Sequence, residues 1–480
     1  MNNKQINGII RRIIQGGMGV GVSGWKLARA SAIAGAVGTV SGTAVANLLA
    51  NSLQKGDKDG SFRRALASFP FQKIAQDVLD TYFVEGGVTN GKNQKEIPLW
   101  SFTPARILIA LTICANYSFV WLAKEGHKNP IFVNYLEKIQ LPHVYSILGA
   151  MLADVDGIVM GAGLPKSIPN VIDSIIAGGD LVSYPIFVKD HPNKGSAVEL
   201  EFNAVEFLGA PLPKLIRPLF FPIVTAPSLA IKFMQWCPGK IDGFIVELNT
   251  AGGHNAPPRG KLQLDTYGQP IYGVKDDVDF AEFCKLGIPF WIAGSLASSE
   301  GLAKACALGA YGVQAGSIFA FTEESGIEPC LKQKALELIF NKKESVFTSP
   351  NASPTGFPFK ILRLKDTIFE QELYDSRKRV CSLGYLREIV WLDDKIVFRC
   401  AAEPVSDFCR KAGVEIETIG CVCICAGLCA TADARAGEIP LVTAGDDLSP
   451  VYDCMRGKNC CGNKNPTYTA LDAVSYISSS

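Results

Sequence analysis

Eight short apolar runs, separated by segments with helical periodicity, constrain the fold of this 480-residue chain more than any other feature. Each run is continuously apolar instead of alternating, which is typical of parallel strands that are buried on both faces. The pattern predicts an α/β fold, a TIM (β/α)8 barrel with insertions, and a doubly wound open sheet is the alternative. The runs lie at 13–15, 37–40, 130–134, 156–163, 221–224, 243–246, 289–293 and 312–315.

Two long segments interrupt the alternation of strands and helices. They span about 47–128 and 189–220, and the first contains one more apolar, strand-like run at 107–114. We expect the barrel to cover residues 8–360 and a cysteine-rich additional C-terminal region to cover 361–480. The apolar stretch at 27–50 is broken by glycines and polar residues, so it predicts a buried helix-strand pair instead of a membrane span.

Composition narrows the class of protein. Hydrophobic residues make up 48% and charged residues 19%, which is ordinary globular usage. A formal net charge of +1 gives no electrostatic basis for nucleic acid as the main partner. The N-terminus lacks the pattern of a secretory signal, so fifteen cysteines predict a reduced, cytoplasmic protein with no membrane partner.

Glycines follow four of the predicted strands, at Gly16-Gly17, Gly252-Gly253, Gly294 and Gly316. A single glycine in this place is often only a turn residue that tolerates positive φ. Four such turns at one end of a barrel offer free N–H donors and close backbone approach. They predict a site for a flat, phosphate-bearing cofactor.

His254 follows directly after one of these glycine pairs and is one of only four histidines. The rim of a parallel barrel is where catalytic residues gather, and imidazole suits general acid–base work. His254 is therefore the catalytic candidate, although a turn histidine bonded to the backbone would look the same. Arg259 and Lys166 are secondary candidates, for which solvated surface roles are the alternative.

The C-terminal cysteines are dense, with Cys421, Cys423, Cys425 and Cys429 in one run. Their spacing matches neither zinc sites nor ferredoxin clusters, so no metal is predicted. On a strand, the alternating cysteines would share one face and pack as small apolar groups.

Five motifs at the strand ends together resemble the nitronate monooxygenases, formerly called 2-nitropropane dioxygenases. The resemblance covers residues 8–360, apart from the insertions, and the family is related to flavin-dependent enoyl-[acyl-carrier-protein] reductases. The C-terminal segments at 384–387, 399–404 and 440–448 look like the long branch of the family, of about 470 residues. The five motifs are at 15–19, 161–165, 251–254, 293–295 and 312–317.

The resemblance implies a TIM barrel that binds FMN. The FMN phosphate would lie on the turns at Gly294, Ser295, Gly316 and Ser317. Ser295 departs from the family, which usually has a second glycine there. The resemblance also makes His254 the active-site histidine, acting as a base or holding a nitronate beside the flavin. The flavin ring would lie near Gly17, Met18, Asn134, Gly252, Gly253 and Gln314.

Three hypotheses for function follow from the resemblance. The leading hypothesis is FMN-dependent oxidative denitrification of alkyl nitronates or nitroalkanes with dioxygen. The second is NAD(P)H-dependent reduction of an enoyl thioester on the same FMN barrel. The third is a flavin-binding or partner protein without turnover. We expect the C-terminal region to cover the barrel or to mediate a homodimer.

Overall fold

The computed structural model describes residues 9–88, 94–193, 197–435, 437–458 and 466–479. Its strands are β1 Ile13–Gln15, β2 Gly38–Ser41, β3 Ile131–Leu136, β4 Gly157–Gly161, β5 Val182–Phe187, β6 Ala197–Phe202, β7 Leu219–Val224, β8 Phe244–Glu247, β9 Phe290–Ala293, β10 Gly312–Ala315, β11 Val346–Ser349, β12 Phe359–Leu362, β13 Glu388–Leu392 and β14 Lys395–Arg399.

Helices follow most of these strands. They are Trp25–Ile33, Val45–Gln54, Ser61–Ala67, Gln72–Tyr82, Arg106–Lys124, His143–Leu152, Ile168–Ile176, Ala204–Leu208, Pro227–Trp236, Phe280–Lys285, Ser299–Ala307, Ser317–Ala320, Pro329–Phe340, Gln371–Ser376, Val405–Arg410, Ile424–Thr431, Ser449–Lys458 and Ala470–Ser478.

Eight parallel strands form the barrel, in the order β1-β2-β3-β4-β7-β8-β9-β10 and back to β1. Between β1 and β2, two backbone hydrogen bonds join Gln15 N to Val37 O and Val37 N to Ile13 O, both at 2.9 Å. All eight strands coincide with the eight predicted runs, so the predicted TIM barrel is confirmed and the open sheet is excluded.

Large apolar side chains fill the barrel interior. Phe132 stacks on Phe221 at 5.2 Å between ring centroids, and Trp291 meets Phe221 edge-on at 5.5 Å. The indole nitrogen of Trp291 donates to the carbonyl of Arg11 at 2.8 Å, so its one polar group is satisfied. Side chains fill the interior, so a ligand binds at the end of the barrel and not inside it.

The first insertion is helical. The prediction of a strand-like run at 107–114 is wrong, because these residues lie inside the 19-residue helix Arg106–Lys124. A continuous apolar run does not distinguish a buried helix from a buried strand, and this helix is buried almost all round. By length and composition it is the one helix in the described ranges that could cross a membrane. That is weak evidence, because 78% of its apolar window is packed inside the protein.

The second insertion includes an antiparallel hairpin of β5 and β6. It starts at Val182, seven residues before the predicted bound of 189. The stretch at 27–50 contains a helix and a strand, as predicted, followed by the helix Val45–Gln54.

The C-terminal region packs on the barrel. Asp446 N donates to Thr250 O at 3.1 Å, and the helix Ala470–Ser478 contacts the helices Trp25–Ile33 and Ser299–Ala307. The cysteine cluster does not lie on a strand, because a helix begins at Ile424 and carries Cys425 and Cys429 one turn apart. Alternating cysteines over five residues are too short a pattern to fix a period.

Candidate functional site

A cavity of about 1070 Å³ lies at the carboxyl ends of the barrel strands. The structure brings His254 and the ten predicted cofactor-binding residues to this one cavity. The lining includes Gly17, Met18, Asn134, Gly252, Gly253, His254, Gly294, Ser295, Gln314, Gly316 and Ser317.

The two glycines before His254 are required for different reasons. Gly252 lies against the C-terminal region, because a Cβ there would be 2.8 Å from the carbonyl carbon of Ala444. Gly253 has a φ of +75° and no atom within 4 Å of a would-be Cβ. Only Gly253 therefore leaves open space for a ligand, whereas Gly252 makes room for the chain itself.

The turns after β9 and β10 also line the cavity, and we call these turns, together with the segment 250–253, the cavity floor. Gly294 has a φ of +119°, and Ser295 follows with a φ of +51°. Ser295 thus holds the left-handed conformation that glycine adopts at low cost, which fits the departure from the family at this position. The hydroxyl oxygen of Ser317 accepts a hydrogen bond from Gly445 N at 2.8 Å.

A strap from the C-terminal region crosses this floor, and we define it as residues 442–447. Thr443 Oγ1 accepts from Gly253 N at 2.9 Å, and Asp446 N donates to Thr250 O at 3.1 Å. Asp446 also pairs with the buried Lys360, with 2.7 Å between Nζ and Oδ1. The sequence motif at 440–448 therefore belongs to the cavity wall, which its position outside the barrel did not indicate.

His254 lies at the rim with its Nε2 atom 2.7 Å from the Ser353 hydroxyl oxygen. Its ring meets Phe359 edge-on at 4.8 Å. Burial lowers its pKa to about 4, because the charged imidazolium loses water. His254 is therefore neutral at physiological pH, in contrast to the near-neutral pKa expected from its residue type.

Glu247 ends β8, faces the cavity and was missed by the sequence analysis. No hydrogen bond or ion pair to its carboxyl occurs within the described residues, and burial raises its pKa from 4.5 to about 8. A charged residue that ends an otherwise apolar strand was the available signal. At neutral pH the cavity therefore holds a protonated acid.

Three buried polar side-chain atoms near the cavity floor have no partner among the described atoms. They are Gln314 Oε1, Thr250 Oγ1 and Asn255 Oδ1. Buried polar groups are nearly always hydrogen-bonded, so unpaired atoms at a cavity indicate a polar ligand.

Only one of the two secondary candidates, Arg259 and Lys166, lines the cavity. Arg259 does not line the cavity, and its guanidinium donates to the carbonyls of Lys275 and Thr225. Lys166 does line the cavity, with Nζ 5.8 Å from the centre of the Trp236 ring. Among the described residues, no group of three or more His, Cys, Asp or Glu has metal-binding geometry.

The fold and the site define a TIM-barrel protein with a glycine-lined cavity at the carboxyl ends of its strands. Residues 218–353 match the family model described as nitronate monooxygenase. These residues include β7 to β10 and His254.

One curated relative from Mycobacterium tuberculosis is the (3aS,4S,5R,7aS)-5-hydroxy-7a-methyl-1-oxo-octahydro-1H-indene-4-carboxyl-CoA dehydrogenase. It is 25% identical over 234 residues, which are 45% of this chain and 60% of the relative. The chain thus spans less than two thirds of that relative's length.

Solved structures with similar folds include FabK from Thermotoga maritima, at 18% identity and a TM-score of 0.37, over 77% of this chain and 75% of that one. Nitroalkane oxidase from Streptomyces ansochromogenes aligns at 15% identity and a TM-score of 0.36, over 75% and 78%. The enoyl reductase domain of MlnA from Bacillus amyloliquefaciens aligns at 12% identity and 0.40, over 79% and 70%.

Proposed function

We propose that the protein is an FMN-dependent oxidoreductase. The fit of FMN is supported by the open space above Gly253 and by the unpaired oxygen of Gln314. Gly294, Ser295 and Gly316 would hold the phosphate, and Gly17, Met18 and Asn134 would border the ring. Bound FMN would supply hydride transfer, while the chain binds the substrate, orients it and handles protons.

For the substrate we propose an α,β-unsaturated acyl thioester, reduced at the expense of NAD(P)H. One observation carries this choice: Glu247 and His254 border one cavity, and burial displaces their pKa values in opposite directions. Such a pair divides acid and base roles. Reduction of a C=C bond needs one hydride and one proton, and Glu247 is the group that holds a proton at neutral pH.

In this proposal neutral His254 donates a hydrogen bond to the thioester carbonyl. The Ser353 hydroxyl fixes the ring, as the 2.7 Å contact to Nε2 indicates. The hydrogen bond from His254 to the thioester carbonyl oxygen stabilises the negative charge that develops there as hydride arrives at the β-carbon. The α-carbon then takes the proton from Glu247. The M. tuberculosis relative is named for redox chemistry on a CoA thioester, which agrees with this substrate class.

Nitronate oxidation is the second candidate, favoured by the name of the matched family. The electrostatics of the cavity argue against it. A histidine with a pKa of about 4 is a weak base toward a neutral nitroalkane, and it carries no positive charge to hold an anionic nitronate.

The experiment is an anaerobic mixing series with the purified full-length protein. We expect NADPH or NADH to bleach the flavin absorbance and a short enoyl-CoA to restore it, with formation of the saturated acyl-CoA. Bleaching by a nitronate in the absence of NAD(P)H would instead support the second candidate. A protein that neither retains nor binds flavin would overturn FMN dependence and leave only a non-catalytic role.

A further inference from the structure

Backbone pairing fixes the position of the His254 ring. The segments 253–255 and 358–360 pair in antiparallel fashion, with His254 opposite Phe359. Two backbone hydrogen bonds of 3.0 and 3.1 Å join these segments, and the Phe359 ring packs edge-on against the imidazole at 4.8 Å. Residues 353–357 lead directly into the second segment. Their side chains therefore have a fixed position relative to the imidazole.

Two hydroxyl groups form a hydrogen-bonded chain behind this ring. Ser353 Oγ lies 2.7 Å from His254 Nε2 and 2.7 Å from Thr355 Oγ1. Ser353 is 4% exposed, and its Oγ also accepts a hydrogen bond from Thr355 N at 3.2 Å. Thr355 lines the cavity, and its Oγ1 accepts from Phe357 N at 3.4 Å. The chain of hydroxyls therefore ends at Nε2 of the imidazole.

The proton positions in this chain follow from the number of donors and acceptors. A hydroxyl has one proton to donate and two lone pairs. Backbone N–H groups occupy one lone pair of Ser353 and one of Thr355. If Ser353 donates to Thr355, the Thr355 proton has no acceptor among the described residues. If Ser353 donates to His254, the Thr355 proton goes to Ser353 Oγ, and both hydroxyl protons are used.

The second arrangement decides which nitrogen of His254 carries the proton. An imidazole nitrogen that accepts a hydrogen bond is unprotonated, and burial keeps this ring neutral by lowering its pKa to about 4. The one N–H proton is then on Nδ1. Within the described residues Nδ1 makes no hydrogen bond, and it is accessible from the cavity. The N–H of His254 is therefore free to bind a ligand.

Two other histidines have the opposite tautomer. His127 and His143 each place Nε2 against a backbone carbonyl oxygen, at 2.7 and 3.1 Å. A carbonyl oxygen only accepts, so both rings are protonated on Nε2. A hydroxyl can also donate, and this difference in partner lets Ser353 hold His254 in the other tautomer.

We propose that Ser353 and Thr355 are positioning residues that hold His254 in the Nδ1–H tautomer and so make it a hydrogen-bond donor toward the cavity. The inference rests on the proposed enoyl reduction, because it assigns the nitrogen that binds the thioester carbonyl. A carbonyl or enolate oxygen accepts from Nδ1–H, whereas the other tautomer would direct a lone pair at that oxygen. The hydroxyl pair thus favours substrates that present a hydrogen-bond acceptor to His254.

The first test determines the tautomers in purified, full-length protein with ¹⁵N-labelled histidine. Long-range ¹⁵N–¹H NMR correlations distinguish the protonated ring nitrogen from the bare one, and a His254→Gln variant assigns the His254 signal. We expect the proton on Nδ1 in His254 and on Nε2 in His127 and His143. A proton on Nε2 of His254 would overturn the proposal. No substrate is used, so this result stands even where enoyl reduction itself fails.

Variants test the part of each hydroxyl. Ser353→Ala removes the donor to Nε2, and Thr355→Val keeps the shape of the side chain but lets the Ser353 proton turn away from His254. Both variants should populate the Nε2–H tautomer. Thr355→Ser keeps the hydroxyl and should restore the spectrum of the unmodified protein. A spectrum of His254 that is the same in all of them would remove the hydroxyl pair from the proposal.

Kinetics separate a positioning role from a structural one. Bleaching of the flavin by NADPH does not involve the thioester carbonyl, so Ser353→Ala and Thr355→Val should leave its rate unchanged. Reoxidation by crotonyl-CoA should slow about tenfold, less than the roughly 10²- to 10³-fold loss for a missing donor, because bound substrate still selects the Nδ1–H tautomer. The loss should fall on kcat more than on KM, since this hydrogen bond strengthens as charge develops. Equal slowing of both half-reactions would contradict the positioning role.

Discussion

At the scale of single residues, the cavity depends on a proton that Glu247 keeps because burial disfavours its charge. Its pKa of about 8 means that the acid is present below this pH and lost above it. Sequence patterns identified His254, since a histidine behind two glycines is visible in the chain. They did not identify Glu247, for which the one local signal was a charged residue at the end of an apolar strand. Its lack of partners depends on side chains from other strands.

Replacement of Glu247 by Gln should remove the proton donor while keeping the shape of the side chain. We expect the rate of enoyl reduction to fall about 10²- to 10⁴-fold. In the unmodified protein the rate should decline as pH rises through about 8, and this alkaline decline should vanish in the variant. The measurement is kcat/KM against pH, with the exposed Glu300→Gln as control. An unchanged decline in the variant would remove Glu247 from the proposal.

Replacement of Ser295 by Gly tests the backbone at the turn after β9. Ser295 has a φ of +51°, and relief of that conformation gains about 1–2 kcal/mol, from which the entropy that glycine adds to the unfolded chain takes roughly 0.5–1 kcal/mol. The net stabilisation should be roughly 0.5–1 kcal/mol. The melting temperature should rise slightly and the FMN dissociation constant should stay within about twofold. The control is Ser183→Gly in β5, where extended backbone favours the native residue. A large loss of FMN affinity would show that the Ser295 hydroxyl binds the cofactor.

At the scale of elements, the eight barrel strands could be predicted because a strand that is buried on both faces consists of a continuous run of apolar residues. The same rule failed at Arg106–Lys124, where a helix is also buried all round. The strap at 442–447 could not be predicted, because its contacts with Thr250 and Gly253 join segments nearly 200 residues apart. Long-range pairing of this kind leaves no periodic trace in the sequence.

The strap should depend on the Lys360–Asp446 ion pair. Lys360 is 2% exposed, and its remaining partner is Thr348 Oγ1 at 2.7 Å. Asp446→Asn leaves a buried ammonium without its counter-charge, and we expect a loss of about 1–3 kcal/mol in unfolding free energy together with weaker FMN binding. Combining it with Lys360→Met should recover part of the stability, because both partners are then gone. Equal stability of Asp446→Asn and the unmodified protein would show that the pair is not required.

At the scale of the whole molecule, the contacts between the strap and the barrel both form the cavity wall and hold the fold together. Ligand binding and the free energy of unfolding are therefore linked. A ligand that binds only the folded state stabilises it by about 2.7 kcal/mol at 100 times its dissociation constant. The glycine turns after β9 and β10 line the cavity, and so does Gly253, which contacts the strap. If the turns after β9 and β10 hold the phosphate, FMN should raise the melting temperature by several degrees. Riboflavin, which lacks the phosphate, should raise it less at equal concentration.

In a Gly316→Asp variant, FMN and riboflavin should raise the melting temperature equally, because the carboxylate would repel the phosphate of FMN but not riboflavin. Equal shifts from FMN and riboflavin in the unmodified protein would exclude these turns as the phosphate site, while leaving the thioester proposal to its own mixing experiment.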